Sequence, residues 1–373
     1  MKLTIKNGVK SFRSEDYSYD FNLATGFFRR WGRTFANDPE TSPYGPEIAD
    51  IEISAGESCP MSCPFCYKGN RKGNPANSTH MSLETFSGIL DTFPKYDGHF
   101  FTTQIAFGIT SVGAHPQLFD IFQHCRKNNI IPNVTINGAD PLTDEQIGNL
   151  VKLTGAMAIS LNSAIKDEEY KLIERLTAAG ARQLNIHFVV SKQSIQFAYE
   201  LCNDLKYNLA LKGINAIVFL GLKPKNRGQA FDVLPTEEFI KLVEFALDNN
   251  IRFGFDSCGA PKFEHAVHLS KKIDDATKKR LIACSERCES GNFSSYIDVD
   301  GNYWHCSFGE GLEIANGIDV KTIKSFLTDV WQSAKLTEWR NRLKELDREC
   351  PLYAEIHIDP TKITGTFPAK LEN

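Results

Sequence analysis

The sequence lacks any apolar run as long as the roughly eighteen residues that a membrane-spanning helix requires. It also lacks a secretory signal near its start, since residues 1–6 are too polar for the apolar core of one. These two absences argue against a membrane-embedded or exported chain. We therefore expect a cytoplasmic protein without a membrane partner.

Charge of one sign is lacking as well. The 42 Lys and Arg residues stand against 46 Asp and Glu residues, which gives a formal net charge of −4. So small a net charge offers no broad basic surface, and we do not expect a nucleic-acid partner. The hydrophobic fraction of 42% and the charged fraction of 24% are typical of a folded globular chain.

Cysteine is plentiful, with ten residues, and in a reducing compartment this number predicts metal ligation rather than disulfides. Cys59, Cys63 and Cys66 are spaced C-x₃-C-x₂-C shortly after the apolar run 51–53. Such spacing predicts a tight loop at a strand end that presents three thiolates. A closed tetrahedral zinc or iron–sulfur site takes four protein ligands, so three leave one position open for chemistry.

Short apolar strands alternate with amphipathic helices from residue 51 to residue 256. Repeated strand–helix units predict a parallel sheet with helices packed on it, and right-handed crossovers curl such a sheet in one sense. The active site of such a sheet lies at the carboxyl ends of its strands. The three-cysteine loop is expected at that edge.

The three-cysteine loop, with the aromatic Phe65 before its last cysteine, resembles that of the radical S-adenosylmethionine (SAM) enzymes. The resemblance implies that Cys59, Cys63 and Cys66 hold a [4Fe–4S] cluster whose fourth iron binds SAM. It implies reductive SAM cleavage to a 5′-deoxyadenosyl radical that abstracts a substrate hydrogen. A flavodoxin- or ferredoxin-type protein would donate the electron.

The same resemblance implies an α/β fold: a partial (β/α)₆ TIM-like barrel over residues 51–257, followed by a small α+β iron–sulfur domain over residues 258–373. Residues 1–50 form an N-terminal extension. We interpret this extension as a strap that covers an open barrel edge, with a substrate-docking lid as the alternative.

Strand ends that resemble the SAM-binding strand ends of the family supply further candidates. Where the family has Gly-Gly-Glu-Pro, residues 106–116 keep a glycine but lack the acidic residue, so Thr110, Ser111 or backbone carbonyls are expected to accept the SAM ammonium hydrogens. Turn and capping duty is the alternative role for the polar residues. The candidate cofactor-binding residues are Phe65, Gly108, Thr110, Asn137, Ser160 and Asn162.

Two other polar features lie along the predicted barrel. His187 alternates with apolar neighbours, and we interpret it as a satisfied inward-facing group rather than a ligand. Residues 223–228 form a basic loop, which either meets an acidic group of the substrate or is simply solvated.

A second set of cysteines follows the predicted barrel. The C-x₁₂-G-x₄-C spacing from Cys288 to Cys306 resembles the start of the SPASM and twitch extensions of the family, which carry auxiliary iron–sulfur clusters. Asp300-Gly301 predicts a two-residue hairpin turn that returns Cys306 beside Cys288. One auxiliary [4Fe–4S] cluster is expected.

Five cysteines compete for the four places at that cluster. We choose Cys284, Cys288, Cys306 and Cys350, because they share one predicted domain. Cys258 ends the last barrel strand and is the alternative. It could replace Cys284 or Cys350 as a ligand, donate a hydrogen atom, anchor the substrate, or be a buried thiol.

Peptide or protein modification, of the kind that acts on ribosomally made precursor peptides, is the substrate class that the resemblance favours. The alternatives within the family are a small-molecule dehydrogenase and a nucleotide-rearranging enzyme. A non-catalytic zinc or iron–sulfur binding protein is the alternative from a different class, and the missing acidic residue of Gly-Gly-Glu-Pro favours it.

Overall fold

The computed structural model describes residues 1–162, 165–312 and 317–353. In this part of the chain the strands are β1 (Lys2–Lys6), β2 (Val9–Arg13), β3 (Ser18–Asn22), β4 (Phe28–Trp31), β5 (Ile48–Glu52), β6 (Ser54–Gly56), β7 (Ser78–His80), β8 (Lys95–Tyr96), β9 (His99–Phe100), β10 (Gln104–Gly108), β11 (Ile131–Asn137), β12 (Met157–Ser160), β13 (Leu184–Val190), β14 (Ala216–Gly221), β15 (Phe253–Phe255), β16 (Ser294–Ile297), β17 (Asn302–Trp304) and β18 (Ile318–Asp319).

The α-helices of the same residues lie mostly between the strands of the predicted barrel. They are α1 (Leu83–Asp91), α2 (Leu118–Lys127), α3 (Asp144–Leu153), α4 (Lys166–Ala178), α5 (Ile195–Tyr207), α6 (Thr236–Asp248), α7 (Ala260–Leu269), α8 (Asp275–Ala283) and α9 (Ala334–Glu345). Over the described ranges none of these helices has the length and apolar character needed to cross a membrane.

A ten-stranded sheet with the order β15-β14-β13-β12-β11-β10-β5-β16-β17-β18 forms the centre of the molecule. Its strands from β15 to β5 are parallel to their neighbours, as the alternation of strands and helices predicts. The sheet ends at β15 and β18 without closing on itself, so the architecture is an open, TIM-barrel-like α/β sheet.

Helix starts follow the local signals of the sequence. The Thr143 side chain accepts a hydrogen bond from the Gln146 backbone N–H, and the Gln146 side chain accepts one from the Thr143 N–H, which forms the capping box of α3. The Ser82 side chain caps α1 by accepting a hydrogen bond from the Thr85 backbone N–H. Helix α6 begins at Thr236, and Pro235 holds its capping position.

The two faces of the parallel strands differ in burial. Side chains that face the helices, such as Phe107, Ile136 and Ile186, are almost fully buried. The alternate positions face the inside of the curled sheet, and Asn133 and His187 among them keep partial solvent exposure. The inside of this sheet, which we call the lumen, is therefore polar and hollow rather than packed with apolar side chains.

Residues 2–31 form a four-stranded antiparallel sheet, β1-β2-β3-β4, in a region for which the sequence analysis assigned no strands. Its aromatic core includes Phe12 and Tyr19 and packs on Phe101 and Ile131, which lie at the amino ends of β10 and β11. This sheet thus covers the side of the barrel opposite the strand ends that carry the cysteine loop. The outer edge of β5 is paired by β16.

The C-terminal hairpin β16–β17 extends the barrel sheet. The Asp298 backbone N–H donates to the Asn302 carbonyl, so the connection comprises residues 299–301 and is one residue longer than the predicted two-residue turn. Gly301 has φ +83°, the left-handed conformation that closes a three-residue hairpin loop. Strand β17 runs back antiparallel to β16, so Cys306, which follows it, returns toward the segment before β16 that carries Cys288.

Candidate active site and cysteine sets

The three-cysteine loop lies between β6 and β7, at the carboxyl end of the first barrel strand. Cys59 is buried, while Cys63 and Cys66 are half-buried. Burial, together with the neighbouring thiols of Cys59 and Cys66, raises the pKa of Cys63 to about 12. Three thiolates packed this closely would be stabilised by a positive charge, which iron or another soft cation supplies.

An arginine from the basic loop holds the three-cysteine loop in place. The Arg227 guanidinium donates to the carbonyls of Cys63 (3.0 Å), Gly69 (3.1 Å) and Asn70 (2.6 Å). The Asn226 side chain donates to the carbonyl of Tyr67, which lies in the same loop. The basic loop is therefore neither simply solvated nor left free for a substrate acid, since its side chains hold the cysteine loop.

The candidate SAM-binding residues differ in what their side chains contact. Asn137, at the end of β11, lies beside the cysteines, since its amide nitrogen is 3.5 Å from the Cys59 sulfur. Thr110 is buried, and its hydroxyl hydrogen-bonds those of Ser54 (2.7 Å) and Ser58 (2.6 Å). The Ser111 hydroxyl donates to the Asp140 carboxylate at 2.7 Å. Thr110 thus braces the cysteine loop through Ser58, whereas the Ser111 hydroxyl is engaged by Asp140.

The other candidates border the same edge of the sheet. Ser160 is half-buried at the end of β12, and its carbonyl accepts a hydrogen bond from Gly138 at 3.2 Å. The Asn162 backbone donates to the Glu169 carboxylate at 2.5 Å. Phe65 packs edge-on against Phe231, with ring centroids 6.1 Å apart.

Gly108 lies against the first barrel strand. A Cβ at this position would come within 3.3 Å of the Glu52 Cα and Cβ atoms, so the end of β10 approaches β5 closely. Glu52 is the nearest acidic residue to this Gly108 end, and the sequence analysis did not single it out. The signal was its position as the last residue of the strand before the cysteine loop.

Glu52 belongs to a buried polar network that joins the barrel to the C-terminal region. The Lys68 ammonium is 2.8 Å from the Glu52 carboxylate and also pairs with Glu310. The Tyr296 hydroxyl donates to Glu52 (3.2 Å) and Glu310 (2.8 Å). Burial lowers the pKa of Lys68, but the two carboxylates outweigh it and leave the pKa raised. Lys68 therefore stays charged.

The C-terminal cysteines come from four separate segments. Cys258 follows β15, Cys288 precedes β16, Cys306 follows β17, and Cys350 follows α9. Burial raises the pKa of Cys288, and the thiols of Cys258, Cys350 and Cys306 raise it further. Burial likewise raises the pKa of Cys258 to about 12 and those of Cys306 and Cys350 to about 11.

The four cysteines are thus within electrostatic reach of one another. Cys284, which the sequence analysis placed in this set instead of Cys258, is exposed at the C-terminal end of α8. The arrangement favours Cys258 as the fourth member. The long loop between β15 and β16 lets α8 carry Cys284 to the surface, which the sequence spacing alone does not reveal.

The two cysteine sets are in contact through the residues that follow each of them. The rings of Tyr67 and Phe308 have centroids 4.5 Å apart, and the Tyr67 hydroxyl lies 3.3 Å from that of Ser307. The Lys225 ammonium donates to the carbonyls of Ser307 (3.3 Å) and Glu310 (2.8 Å). The basic loop therefore binds both cysteine-bearing loops.

His187 is a satisfied polar group, as the sequence analysis expected. Its ring nitrogen is 3.3 Å from the Thr135 hydroxyl, and burial lowers its pKa to about 4. Farther along the lumen, the buried Lys223 ammonium lies 2.6 Å from the Asp256 carboxylate.

A single-ion metal site is not found in the described residues. Across residues 1–162, 165–312 and 317–353, no three His, Cys, Asp or Glu side chains converge closely enough to hold one metal ion. A [4Fe–4S] cluster takes one thiolate on each iron, so its ligands need not converge on one atom. The composition of both sets, all cysteine, suits iron–sulfur ligation.

Comparison with known proteins identifies a sequence relative and solved structures of similar fold. No family model matches the sequence. The chain is 20% identical over 268 residues to the GTP 3′,8-cyclase of Sulfurovum sp. (strain NBC37-1), an alignment that covers 69% of this chain and 71% of the cyclase.

Solved structures match the fold over nearly the whole chain. Streptococcus suis SuiB bound to its precursor peptide SuiA has a TM-score of 0.66 at 13% identity, covering 91% of this chain and 90% of SuiB. SuiB bound to S-adenosylmethionine has a TM-score of 0.61 at 14% identity, covering 85% and 76%.

These likenesses agree with the cysteine loop at the carboxyl edge of the open parallel sheet. By sequence and by fold, the chain is similar to the radical S-adenosylmethionine enzymes, which use a [4Fe–4S] cluster and SAM and cleave SAM reductively.

Proposed function

We propose that this enzyme modifies a peptide or protein substrate and that Cys59, Cys63 and Cys66 hold its SAM-binding [4Fe–4S] cluster. The observation that carries the ligand assignment is the packing of these three thiols at one strand end, with the Asn137 amide beside the Cys59 sulfur. When bound, the cluster supplies the electron that cleaves SAM to a 5′-deoxyadenosyl radical.

The protein's own groups position the cofactors in this proposal. Arg227 fixes the cysteine loop through three carbonyls. Asn137, Ser160 and Asn162 border the place for SAM at the strand ends. Glu52 stands where the acidic residue of Gly-Gly-Glu-Pro is missing, although Lys68 already neutralises its charge.

An auxiliary [4Fe–4S] cluster on Cys258, Cys288, Cys306 and Cys350 completes the proposal. Four protein ligands would close that cluster to substrate, which favours electron transfer over substrate binding. This assignment gives Cys258 a ligand role and leaves it no thiol hydrogen to donate. The contact of Tyr67 with Phe308 supports a close approach of the two proposed cofactor sites.

A peptide substrate is supported by the match to SuiB, a protein of the same overall fold that was crystallised with its precursor peptide. The hollow lumen is compatible with a side chain that enters from the strand ends. A nucleotide substrate is the second candidate, because the sequence relative is a GTP 3′,8-cyclase.

Anaerobic reconstitution with iron, sulfide, dithionite and SAM tests the enzyme assignment. We expect release of 5′-deoxyadenosine and about eight irons per chain, four for each cluster. Cys63→Ala should release none and retain about four irons. Binding of zinc without SAM cleavage by the wild type would instead support the non-catalytic alternative.

The substrate class is tested with the same preparation. Small peptides encoded beside the gene and GTP are each added, and both 5′-deoxyadenosine release and a mass change of the added compound are followed. A mass change of a peptide supports the proposal. Conversion of GTP, with every peptide unchanged, would contradict it and favour the nucleotide.

A further inference from the structure

Asp50 is a carboxylate on the inner wall of the lumen. It lies in the middle of β5 and pairs in register with Ala106 of β10, which pairs in turn with Asn133 of β11. Residues in register on parallel strands point to the same face, so the three side chains share the lumen wall. The Asp50 side chain is solvent-exposed although strands surround it, because the lumen in front of it is hollow.

Three buried or half-buried lysines of the barrel and its loops are engaged by groups other than Asp50. Lys68 pairs with Glu52 and Glu310, and Lys223 pairs with Asp256. The Lys225 ammonium is held by backbone carbonyls.

The Asp50 side chain has no hydrogen bond or ion pair with any residue in the described ranges. Desolvation by the surrounding protein raises the pKa of the Asp50 carboxyl to about 6. The nearby Tyr67 phenol feels the charge of Asp50 and donates its own hydrogen bond to Ser307 instead. A carboxylate left in this state is stabilised by a cation that arrives from outside the chain.

We infer that Asp50 binds a cationic group of the substrate: a primary ammonium or guanidinium group on a side chain that enters the lumen. The inference deepens the proposed peptide modification, on which it rests, by naming lysine- or arginine-like residues as the part of the peptide that enters. The small side chain of Ala106 leaves room for such a group beside Asp50.

SAM also carries positive charge, but the depth of Asp50 favours the substrate. Glu52 is level with Gly108, at the strand ends where the cofactor is proposed to bind. Asp50 lies two residues closer to the amino end of β5, which corresponds to about 6–7 Å along an extended strand. A flexible side chain of four or more bonds reaches this depth from the strand ends.

Binding of defined peptides to the reconstituted, SAM-loaded enzyme tests the inference. The probes are acetylated, amidated pentapeptides with four glycines and a central lysine, arginine or norleucine, and binding is followed anaerobically by ligand-detected NMR. We expect the lysine or arginine peptide to bind about tenfold more tightly than the norleucine peptide, as for one accessible charge pair. Asp50→Asn should abolish this preference, while Asp50→Glu retains it.

Asp300→Asn is the matched control, since it removes one carboxylate in the exposed hairpin turn, where Asn-Gly is as favourable as Asp-Gly. It should keep the preference for the cationic peptides. SAM affinity is measured for every variant, and we expect Asp50→Asn to retain it. The cation-binding inference is overturned if the wild type binds the norleucine peptide equally well, if Asp50→Asn keeps the preference, or if Asp50→Asn loses SAM affinity instead.

Failure of the inference is distinguishable from failure of the proposed function. If peptides are modified but show no preference for a cationic residue, Asp50 has another role and the peptide assignment stands. If GTP is converted and no peptide is, the proposed substrate class falls whatever the variants at Asp50 bind.

Discussion

The two cysteine sets of this enzyme are built in opposite ways. Cys59, Cys63 and Cys66 come from a single loop between two short paired strands, β6 and β7. Cys258, Cys288, Cys306 and Cys350 come from four segments that only the folded chain brings together. The first set has three thiols and the second has four, which suits an open cluster beside a closed one.

An arginine binds the backbone of each set, but to a different extent. Arg227 donates to three carbonyls of the first loop, including that of Cys63. Arg348 donates to the carbonyls of Cys288 (2.9 Å) and Arg287 (3.0 Å), and so ties the segment before β16 to the one that carries Cys350. The local set is therefore held by a remote loop, and the dispersed set by a neighbour of one of its own cysteines.

The largest effect is expected where the membership of the second set is tested. Cys258→Ala should lower the iron content from about eight to about four per chain while SAM cleavage on the first cluster continues, since the two sets use different thiols. Iron analysis and the electron paramagnetic resonance of the reduced protein measure this change.

Cys284→Ala is the matched control for the same measurement. Cys284 is exposed at the end of α8, so its loss should leave both iron content and SAM cleavage unchanged. Loss of iron in Cys284→Ala, with full iron in Cys258→Ala, would restore the assignment that the sequence alone suggested.

The contrast between the sets also explains how far the sequence could be interpreted. Ligand spacing within one loop is a local property, and the alternation of strands and helices predicts the parallel sheet from periodicity alone. The choice between Cys258 and Cys284 depends on where the helices α7 and α8 turn after β15, and no local pattern encodes that turn.

Other features escaped sequence analysis for the same reason. The antiparallel sheet of residues 2–31 carries polar and aromatic residues without a long apolar run, so no strand signal stood out. The partners of Arg227 lie more than 150 positions away in the chain. The Asp50 side chain stands out because no group in the described residues forms a hydrogen bond or ion pair with it. A sequence does not show whether a carboxylate has such a partner.

The second prediction compares the two arginines. Arg227→Lys removes the planar, multiply donating group from the first loop, and we expect a loss of about 1–2 kcal/mol in the stability of the loaded loop. If the loss appears fully in cluster release, iron transfer from the first cluster to a chelator should accelerate roughly five- to thirtyfold.

Arg348→Lys should act on the second set and by less, because it removes two carbonyl contacts rather than three. Measuring iron release in a Cys258→Ala background isolates the first cluster, and Arg348→Lys should be without effect there. Equal effects of the two arginine variants in that background would show that the sets are not held independently.

The smallest expected effect on the cysteine sets concerns Glu169, a buried carboxylate of helix α4 that contacts the segment after β12, beside the first set. Its Oε1 atom accepts the Asn162 backbone hydrogen bond at 2.5 Å, and its Oε2 atom is buried without a hydrogen-bond partner in the described residues. Burial raises the pKa of Glu169 to about 8, well above its ordinary value of 4.5.

Between these two pKa values the folded state binds a proton that the unfolded state has lost, so folding stability falls as pH rises from about 5 to about 8. We expect this group to contribute a loss on the order of 3 kcal/mol over that range. Glu169→Gln keeps an oxygen acceptor for Asn162 but does not titrate, so it should remove this part of the slope. Urea unfolding of both proteins at pH 5.5 and pH 8 measures the difference, and parallel pH dependences would mean that Glu169 is ionised in the folded protein. The Glu169 carboxylate lies next to Asn162 and not beside the second set. The same fall in folding stability with rising pH should therefore persist in Cys258→Ala. This result would show that the effect belongs to the strand ends of the first set and not to the dispersed thiols of the second.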